Sequence, residues 1–243
     1  KVIVLEDDVV PAQSFFPFCK EMLDRYEHDE RITMIAGFNV DEVTPGMPYD
    51  YFFTSAFSIW GWASWRRVAQ RWDGQYGFMA DEFNLHQLEA VARQRGYRNT
   101  LLTIFRDHSR SGKEFFETID WASMILNSGL AVMPAKNQIN NVGMTVASTH
   151  FSTSLKATPH RIRRIFTMKR HELSFPLKHP KYVIENVDYQ ERLYKAYAWN
   201  NPWIKIQNSL EELWLNIRYG NWSHISYSIR RRMRIWAGIE KFG

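Results

Sequence analysis

The chain has 243 residues, of which 45% are hydrophobic and 15% aromatic, so it can bury a sizeable core and is not disordered throughout. Its formal net charge of +5 suits anionic partners but does not choose among nucleotide phosphates, anionic lipid and nucleic acid. The single cysteine, Cys19, excludes an internal disulfide framework and fits a reducing compartment, and no apolar stretch approaches the length that spans a bilayer. We therefore predict a cytoplasmic protein, soluble or peripheral to a membrane.

The first predicted element is a buried strand that ends in three consecutive carboxylates. Val2 to Leu5 are aliphatic, Glu6, Asp7 and Asp8 follow, and Pro11 stops the ladder. Adjacent anions repel one another, so a fold tolerates them in water or around a cation. Carboxylate oxygens suit Mg²⁺ or Mn²⁺, which can hold a substrate diphosphate. A solvated acidic turn is the alternative, and these residues alone do not decide.

Hydrophobic spacing and the positions of Gly and Pro predict alternating helices and strands up to residue 150. Phe15, Phe18 and Met22 fall on one helical face behind Ser14, which could cap that helix. The predicted elements are a helix over 14–26, a strand over 32–36, a loop over 38–50, a strand over 51–55, helices over 63–72 and 81–95, a strand over 101–105, a loop over 106–113, a helix over 117–127, a strand over 130–134 and a loop over 137–150. The acidic residues therefore lie between two predicted sheet elements.

The densest aromatic cluster contains Trp60, Gly61, Trp62 and Trp65. Indole rings stack well on the C–H faces of sugars, and a glycine lets the backbone approach a ligand closely. The alternative is a packed corner at which a strand gives way to the next helix.

Two polar segments are candidate phosphate contacts. Residues 106–113 form a basic, Ser- and Gly-bearing segment that could touch phosphate, although a mobile solvated loop is its default interpretation. It lacks the spacing of a P-loop, which excludes an NTPase of that class. Residues 137–150 are too polar to pack and suit a lid, and His150 at their end could bind a metal or donate a hydrogen bond to phosphate.

Beyond residue 155 the composition becomes basic and aromatic, so we predict one domain over 1–155 and a helical extension over 156–243. Ile225, Ile229, Met233 and Trp236 recur at helical spacing beside the arginines of 230–234, a pattern typical of a helix on an anionic membrane surface. A helix packed on the first domain with its basic face in water is the alternative. No recognised nucleic-acid-binding module accompanies the basic residues, so we predict no nucleic-acid partner.

Four ordered segments together resemble metal-dependent glycosyltransferases of the GT-A fold, and most closely bacterial sugar transferases related to N-acetylglucosaminyltransferase I. The segments are Val4 to Pro11, Ser58 to Trp65, Asp120-Trp121 and Asn141 to His150. The resemblance implies an α/β fold with a mixed sheet over the first domain. In the family a nucleotide-binding βαβ half precedes the acidic motif; because this sequence opens inside a predicted strand, we expect that half to be missing from it.

The resemblance also implies roles for individual residues. Glu6-Asp7-Asp8 stands where the family carries its variant of the Asp-x-Asp signature, with Asp8 on the Mn²⁺ or Mg²⁺ cofactor, Asp7 on the ribose or on metal-bound water, and Glu6 on the transferred sugar. Trp60 and Gly61 would line the sugar-binding wall.

Two further roles follow from the same resemblance. His150 would secure the diphosphate under the lid, and Asp120 would be the catalytic base. The family more often has Trp directly before this Asp, whereas this chain has Ile119. An acid early in a helix also complements the helix dipole, and Glu117, one turn earlier, is the second candidate for the base.

The implied activity is transfer of a sugar from a nucleotide-sugar donor to a hydroxyl of a glycan or lipid-linked glycan acceptor, with inversion. The implied setting is bacterial surface polysaccharide or lipopolysaccharide synthesis, at the inner face of the cytoplasmic membrane. Two alternatives stay open: a noncatalytic carbohydrate-binding or membrane-associated fragment, and a metal-dependent nucleotidyltransferase.

Overall fold

The computed structural model describes residues 1–143 and 155–236, and in these ranges the chain is a mixed α/β protein, as predicted. The chain divides into two compact units. Unit 1 comprises Lys1–Val142 and Thr167–Asn200, and unit 2 comprises Gly143–Phe166 and Asn201–Gly243. The predicted domain boundary at residue 155 stays a prediction.

The strands are β1 (Val2–Val4), β2 (Val9–Pro11), β3 (Ile32–Ala36), β4 (Tyr51–Thr54), β5 (Trp62–Ser64), β6 (Leu130–Pro134) and β7 (Ile139–Asn141). The helices are α1 (Phe15–Arg25), α2 (Arg66–Ala69), α3 (Glu82–Val91), α4 (Arg95–Ser111), α5 (Phe116–Leu126), α6 (His160–Thr167), α7 (Val187–Ala196), α8 (Pro202–Arg218) and α9 (Trp222–Trp236). None of the helices in the described ranges has the length and hydropathy needed to cross a bilayer.

Unit 1 is built on a five-stranded sheet in the order β1-β5-β3-β6-β4. The β3–β6 pair is parallel, and the other pairs are antiparallel. β3 and β4 are buried along their whole length, which explains why their apolar runs identify them in the sequence. β1 lies at the sheet edge, with Val2 49% and Ile3 36% exposed, so the prediction of a buried strand there is wrong. A run of aliphatic residues does not reveal which strands lie at an edge.

The start of α1 is held by residues that are distant in sequence. The Ser14 hydroxyl does not cap the helix as predicted; it donates to Gln138 Oε1 at 2.7 Å and accepts from the Leu173 N–H at 2.9 Å. The carboxylate of Glu172 instead accepts from the backbone N–H groups of Gln13 and Ser14, at 3.0 and 2.8 Å. Because Glu172 is far along the chain, the Ser14 pattern alone could not show this arrangement.

The segment that begins within the aromatic cluster, residues 62–72, also differs from the prediction. A helix was expected over 63–72, but β5 occupies Trp62–Ser64 and α2 is a short helix over Arg66–Ala69. Ala63 pairs with both Ile3 and Ile35, so this stretch lies between two strands and is fully buried. Backbone pairing of β5 with both β1 and β3 outweighs the local helical pattern of the sequence.

The largest correction concerns residues 95–111, which form α4. The strand predicted over 101–105 and most of the basic loop predicted over 106–113 are helical. Tyr97, Leu101 and Phe105 are buried at a spacing of four residues, so the apolar run is one face of a helix. α3 ends at Val91, before the end of the helix predicted over 81–95.

Gly96 lies in the first turn of α4 for a packing reason. A Cβ at this position would lie 2.0 Å from the carbonyl oxygen of Trp199. The absence of a side chain therefore lets the α4 backbone pack directly against the chain after α7.

The first part of the predicted polar loop is packed. Asn137 and Gln138 are fully buried, and β7 pairs with β2 in a two-stranded antiparallel ribbon. The Asn137 amide donates to the carbonyl oxygens of Ile139 and Lys169, at 2.7 and 3.0 Å. Because the buried side-chain amides of Asn137 and Gln138 have hydrogen-bond partners, polarity did not keep the segment in solvent. The predicted lid residue His150 lies outside the described residues.

Candidate functional site

The acidic residues 6–8 form a tight turn between β1 and β2. The Val9 N–H donates to the Glu6 carbonyl at 3.1 Å, and the Val142 N–H donates to the Asp8 carbonyl at 2.8 Å. Glu6 and Asp8 are half-buried and Asp7 is exposed. The turn is therefore anchored by its own backbone and by the end of β7, with its carboxylates at or near the surface.

Trp60 and Gly61 lie next to this turn. Val4 pairs with Trp62, and a Cβ on Gly61 would lie 3.4 Å from the Leu5 side chain and 2.5 Å from that of Ile139. Gly61 also has a φ of +63°, which favours glycine. The fold thus brings the acidic turn, the aromatic cluster and the β2–β7 ribbon to one place, although Gly61 is explained by packing without any ligand.

The tryptophans of the cluster have different surroundings. Trp60 is half-buried and meets Phe38 edge-on at 4.8 Å between ring centroids. Trp65 is buried, and its indole N–H donates to the Leu23 carbonyl at 3.1 Å. Trp62 is also buried and stacks on Phe116 at 6.3 Å. Trp60 is therefore the most exposed of these three rings.

Asp120 lies on α5, one turn after Phe116, and is 2% exposed. Its Oδ1 accepts from the Trp72 indole N–H at 3.1 Å. No donor among the described residues reaches its buried Oδ2, and the buried indole N–H of Trp62 has no acceptor there either. Burial raises the pKa of Asp120 to about 7, although the hydrogen bond from Trp72 opposes the shift.

An apolar recess of about 290 Å³ adjoins this region. Trp62, Trp72 and Phe116 are among its lining residues, together with Val2 and Val4 of the edge strand. Trp72 therefore contacts both the recess and Asp120. This arrangement links the strand that leads into the acidic turn with the helix that carries the predicted base.

The acidic turn can supply some, but not all, of the ligands of a divalent cation. Carboxylate oxygens are suitable donors for Mg²⁺ or Mn²⁺. Over residues 1–143 and 155–236, however, no group of three or more His, Cys, Asp or Glu side chains is placed to hold a metal ion. Mg²⁺ in phosphate-binding sites is commonly held by one or two carboxylates, with substrate phosphates and water completing the shell. Asp8 and its neighbours could supply that partial set.

Sequence reasoning missed a second group of polar residues, on α4 and α5. His108 Nδ1 lies 2.8 Å from the Thr118 hydroxyl, which also makes a short hydrogen bond with Tyr76. His108 was assigned to a solvated loop because Leu101 to Phe105 were read as a strand. Reading Tyr97, Leu101 and Phe105 as one helical face would have placed His108 on the next turn of the same helix.

Comparison with models of known protein families gives no match, and a search of curated proteins gives none either.

Proposed function

We propose that this chain carries the catalytic residues of a metal-dependent glycosyltransferase with a GT-A fold. The reaction moves a sugar from a nucleotide-diphosphate donor to an acceptor hydroxyl, with inversion at the anomeric carbon. The observation that carries the proposal is the position of the anchored acidic turn beside Trp60 and Gly61. The mixed sheet, with the turn directly after one of its strands, supports the choice of fold.

In this proposal the donor binds at the acidic turn. Asp8 is the metal ligand, Asp7 contacts the ribose or metal-bound water, and Glu6 contacts the transferred sugar. When bound, Mn²⁺ or Mg²⁺ supplies Lewis-acid neutralisation of the leaving diphosphate. Trp60 is the half-buried ring that offers an apolar face to the sugar.

The base must take the proton of the acceptor hydroxyl as its oxygen attacks the anomeric carbon and the bond to the diphosphate breaks. Asp120 suits this role because its pKa of about 7 lies near a neutral working pH. Because Asp120 is 2% exposed, neighbouring side chains must move before an acceptor can reach it. Glu117 is the second candidate, since it is half-buried and lines a separate cavity on the same helix.

A second candidate function is noncatalytic carbohydrate binding. It is favoured by the 2% exposure of Asp120, which as found is closed to an acceptor. A metal-dependent nucleotidyltransferase would also use the acidic turn. It would break a phosphorus–oxygen bond of its substrate and leave the glycosidic bond intact.

The partners in this proposal are a nucleotide sugar, a glycan or lipid-linked glycan acceptor, and an anionic membrane surface. α9 contains no Asp or Glu, and four arginines fall within it. That charge pattern supports contact with anionic lipid at the inner face of the cytoplasmic membrane.

The test incubates the protein with a panel of nucleotide sugars and simple glycoside acceptors in Mn²⁺, and products are identified by mass spectrometry. We expect one donor to yield a nucleoside diphosphate and a glycosylated acceptor, and Asp8→Asn to lose both products. Glu191→Gln, which changes an exposed carboxylate on α7, is the matched control and should keep full activity. Release of a sugar 1-phosphate, the group that leaves when a phosphorus–oxygen bond of the donor breaks, would indicate a nucleotidyltransferase, and no turnover with any donor would favour the noncatalytic alternative.

A further inference from the structure

A cavity of about 380 Å³ lies within unit 1, apart from the acidic turn. Its walls come from the residues before Trp60, from α4 and α5, and from the end of α7 and the residues that follow it. Sites for small ligands have volumes of about 300–1,000 Å³, so the cavity can hold a single ring with substituents.

One wall of the cavity is aromatic and held in place by contacts among its own rings. Tyr97 packs against Trp121 at 5.6 Å and against Trp199 at 5.1 Å, and Tyr197 stacks on Trp199 at 4.9 Å. The Trp121 indole N–H donates to the Tyr97 hydroxyl at 2.8 Å. Rings fixed in this way present apolar surface with little loss of conformational entropy when a ligand binds.

The polar end of the cavity contains His108, Glu117 and Thr118. The Thr118 hydroxyl donates to the Phe115 carbonyl at 3.1 Å, so its oxygen is left to accept from Tyr76 and from the His108 Nδ1–H. This network assigns the His108 proton to Nδ1 and makes Nε2 the acceptor of the ring. Phe115 stacks on the imidazole at 3.8 Å and fixes its plane.

The charge of the cavity lining selects among ligands. Burial lowers the pKa of His108, which favours the neutral ring, while the Glu117 carboxylate opposes that shift. Among the residues that the structure describes, the lining contains one carboxylate and neither Lys nor Arg. A phosphate or carboxylate would meet acceptors without a cation, whereas hydroxyl groups can donate to both Glu117 and His108.

We propose that this cavity binds a neutral hydroxylated ring, such as a pyranoside, with its C–H face on the Tyr97, Trp121 and Trp199 rings and its hydroxyls donating to Glu117 and His108. As a sugar-binding cavity it stands without the transfer reaction. Its use as the acceptor site rests on the proposed function with Glu117 as the base, because Glu117 lines the cavity and Asp120 is not among its lining residues; Ser58 and Ile59, which also line it, lead directly into Trp60.

The experiment titrates methyl pyranosides into the protein without nucleotide or metal, with binding followed by saturation-transfer NMR and calorimetry. We expect saturable binding of at least one glycoside, weakened about tenfold or more in Glu117→Gln and in His108→Ala, because each loses a hydrogen-bond acceptor. Glu191→Gln on α7 and Trp203→Ala on α8, both exposed, should bind as the unchanged protein does.

Two results would overturn the proposal. One is the absence of binding by any glycoside up to tens of millimolar in protein that unfolds cooperatively on heating. The other is binding that both Glu117→Gln and His108→Ala leave unchanged.

Thr100→Trp provides a further variant, because the larger side chain fills the cavity from α4. It should abolish glycoside binding, and cooperative thermal unfolding checks that the variant is folded. If the unchanged protein binds glycosides but transfers no sugar from any donor, the proposed function is refuted and the cavity assignment stands.

Discussion

Asp120 holds a carboxyl group in surroundings that disfavour its charge. One oxygen accepts a single indole hydrogen bond, and the other is buried without a donor in the described part of the chain. Burial is the larger effect, so the pKa of Asp120 rises to about 7. Such a group is half ionised near neutrality and can exchange a proton with a substrate there.

Replacing Asp120 with Asn should abolish sugar transfer, with a loss of at least about 100-fold, because the amide cannot accept the proton. Donor binding in Mn²⁺, measured by calorimetry, should change little. Asp107→Asn, an exposed change on α4, is the control. Unchanged turnover in Asp120→Asn would remove Asp120 from the base role, and a loss of kcat at saturating acceptor in Glu117→Gln would move the role to Glu117.

The rate should also depend on pH in a defined direction. A base acts when ionised, so kcat/KM should rise with pH up to about 7 and level off above it, following the raised pKa of Asp120. The measurement is a pH–rate profile with the donor at low concentration. A flat profile between about pH 5 and 8 would contradict the assignment.

Asp8→Asn should weaken donor binding only when a divalent ion is present. The substitution removes one charged oxygen from a turn whose backbone is fixed by Val9 and Val142, so the fold should persist. Calorimetry with and without Mn²⁺ measures the difference. Equal donor affinity for both proteins in Mn²⁺ would exclude Asp8 as the ligand.

At the scale of elements, α8 exposes an apolar stripe that the sequence reading did not single out. Trp203, Ile206, Leu210, Leu213 and Ile217 recur at spacings of three and four residues, and each is at least 45% exposed. α9 exposes Ile229 and Met233 and carries basic residues without acidic ones. Apolar surface combined with positive charge is the requirement for binding to an anionic membrane surface.

The protein should therefore sediment with vesicles that contain phosphatidylglycerol and should bind much less to neutral phosphatidylcholine vesicles. Leu210→Glu combined with Leu213→Glu should abolish sedimentation, since both side chains are exposed and their burial in lipid is lost. Phe83→Glu, an equally exposed apolar position on α3, is the control. Equal binding to both lipids, or no effect of the α8 substitutions, would contradict this surface.

At the scale of the whole molecule, the buried Asp120 should make stability depend on pH. Its pKa is higher in the folded protein than the ordinary value of 3.8, so the unfolded chain ionises first as the pH rises. Below about pH 4 Asp120 is protonated in both states and does not lower the free energy of unfolding. Between about pH 4 and pH 7 its contribution becomes increasingly unfavourable to the folded state. A shift of about three pKa units corresponds to at most roughly 4 kcal/mol.

Urea unfolding of the unchanged protein and of Asp120→Asn, at pH 5 and pH 8, isolates this contribution from the other titrating groups. Between pH 5 and pH 8, the free energy of unfolding of Asp120→Asn should increase by about 2–4 kcal/mol relative to that of the unchanged protein. A constant difference would show that Asp120 is not buried in the way described.

The sequence by itself determined the elements whose signals are local. Short runs of mainly apolar residues identified β3, β4 and β6, and the helix predicted over 117–127 corresponds to α5. The acidic turn was also evident, because three adjacent carboxylates stand out in any context.

Only the tertiary structure decided which strand lies at the sheet edge, that Leu101 to Phe105 belong to a helix, and that Glu172 holds the start of α1. It also decided the burial of Asp120 and the neighbourhood of residues 6–8 with Trp60 and Gly61. These properties arise from contacts between segments far apart in the chain. Hydrophobic spacing records that a side chain will be buried, but not against which partner.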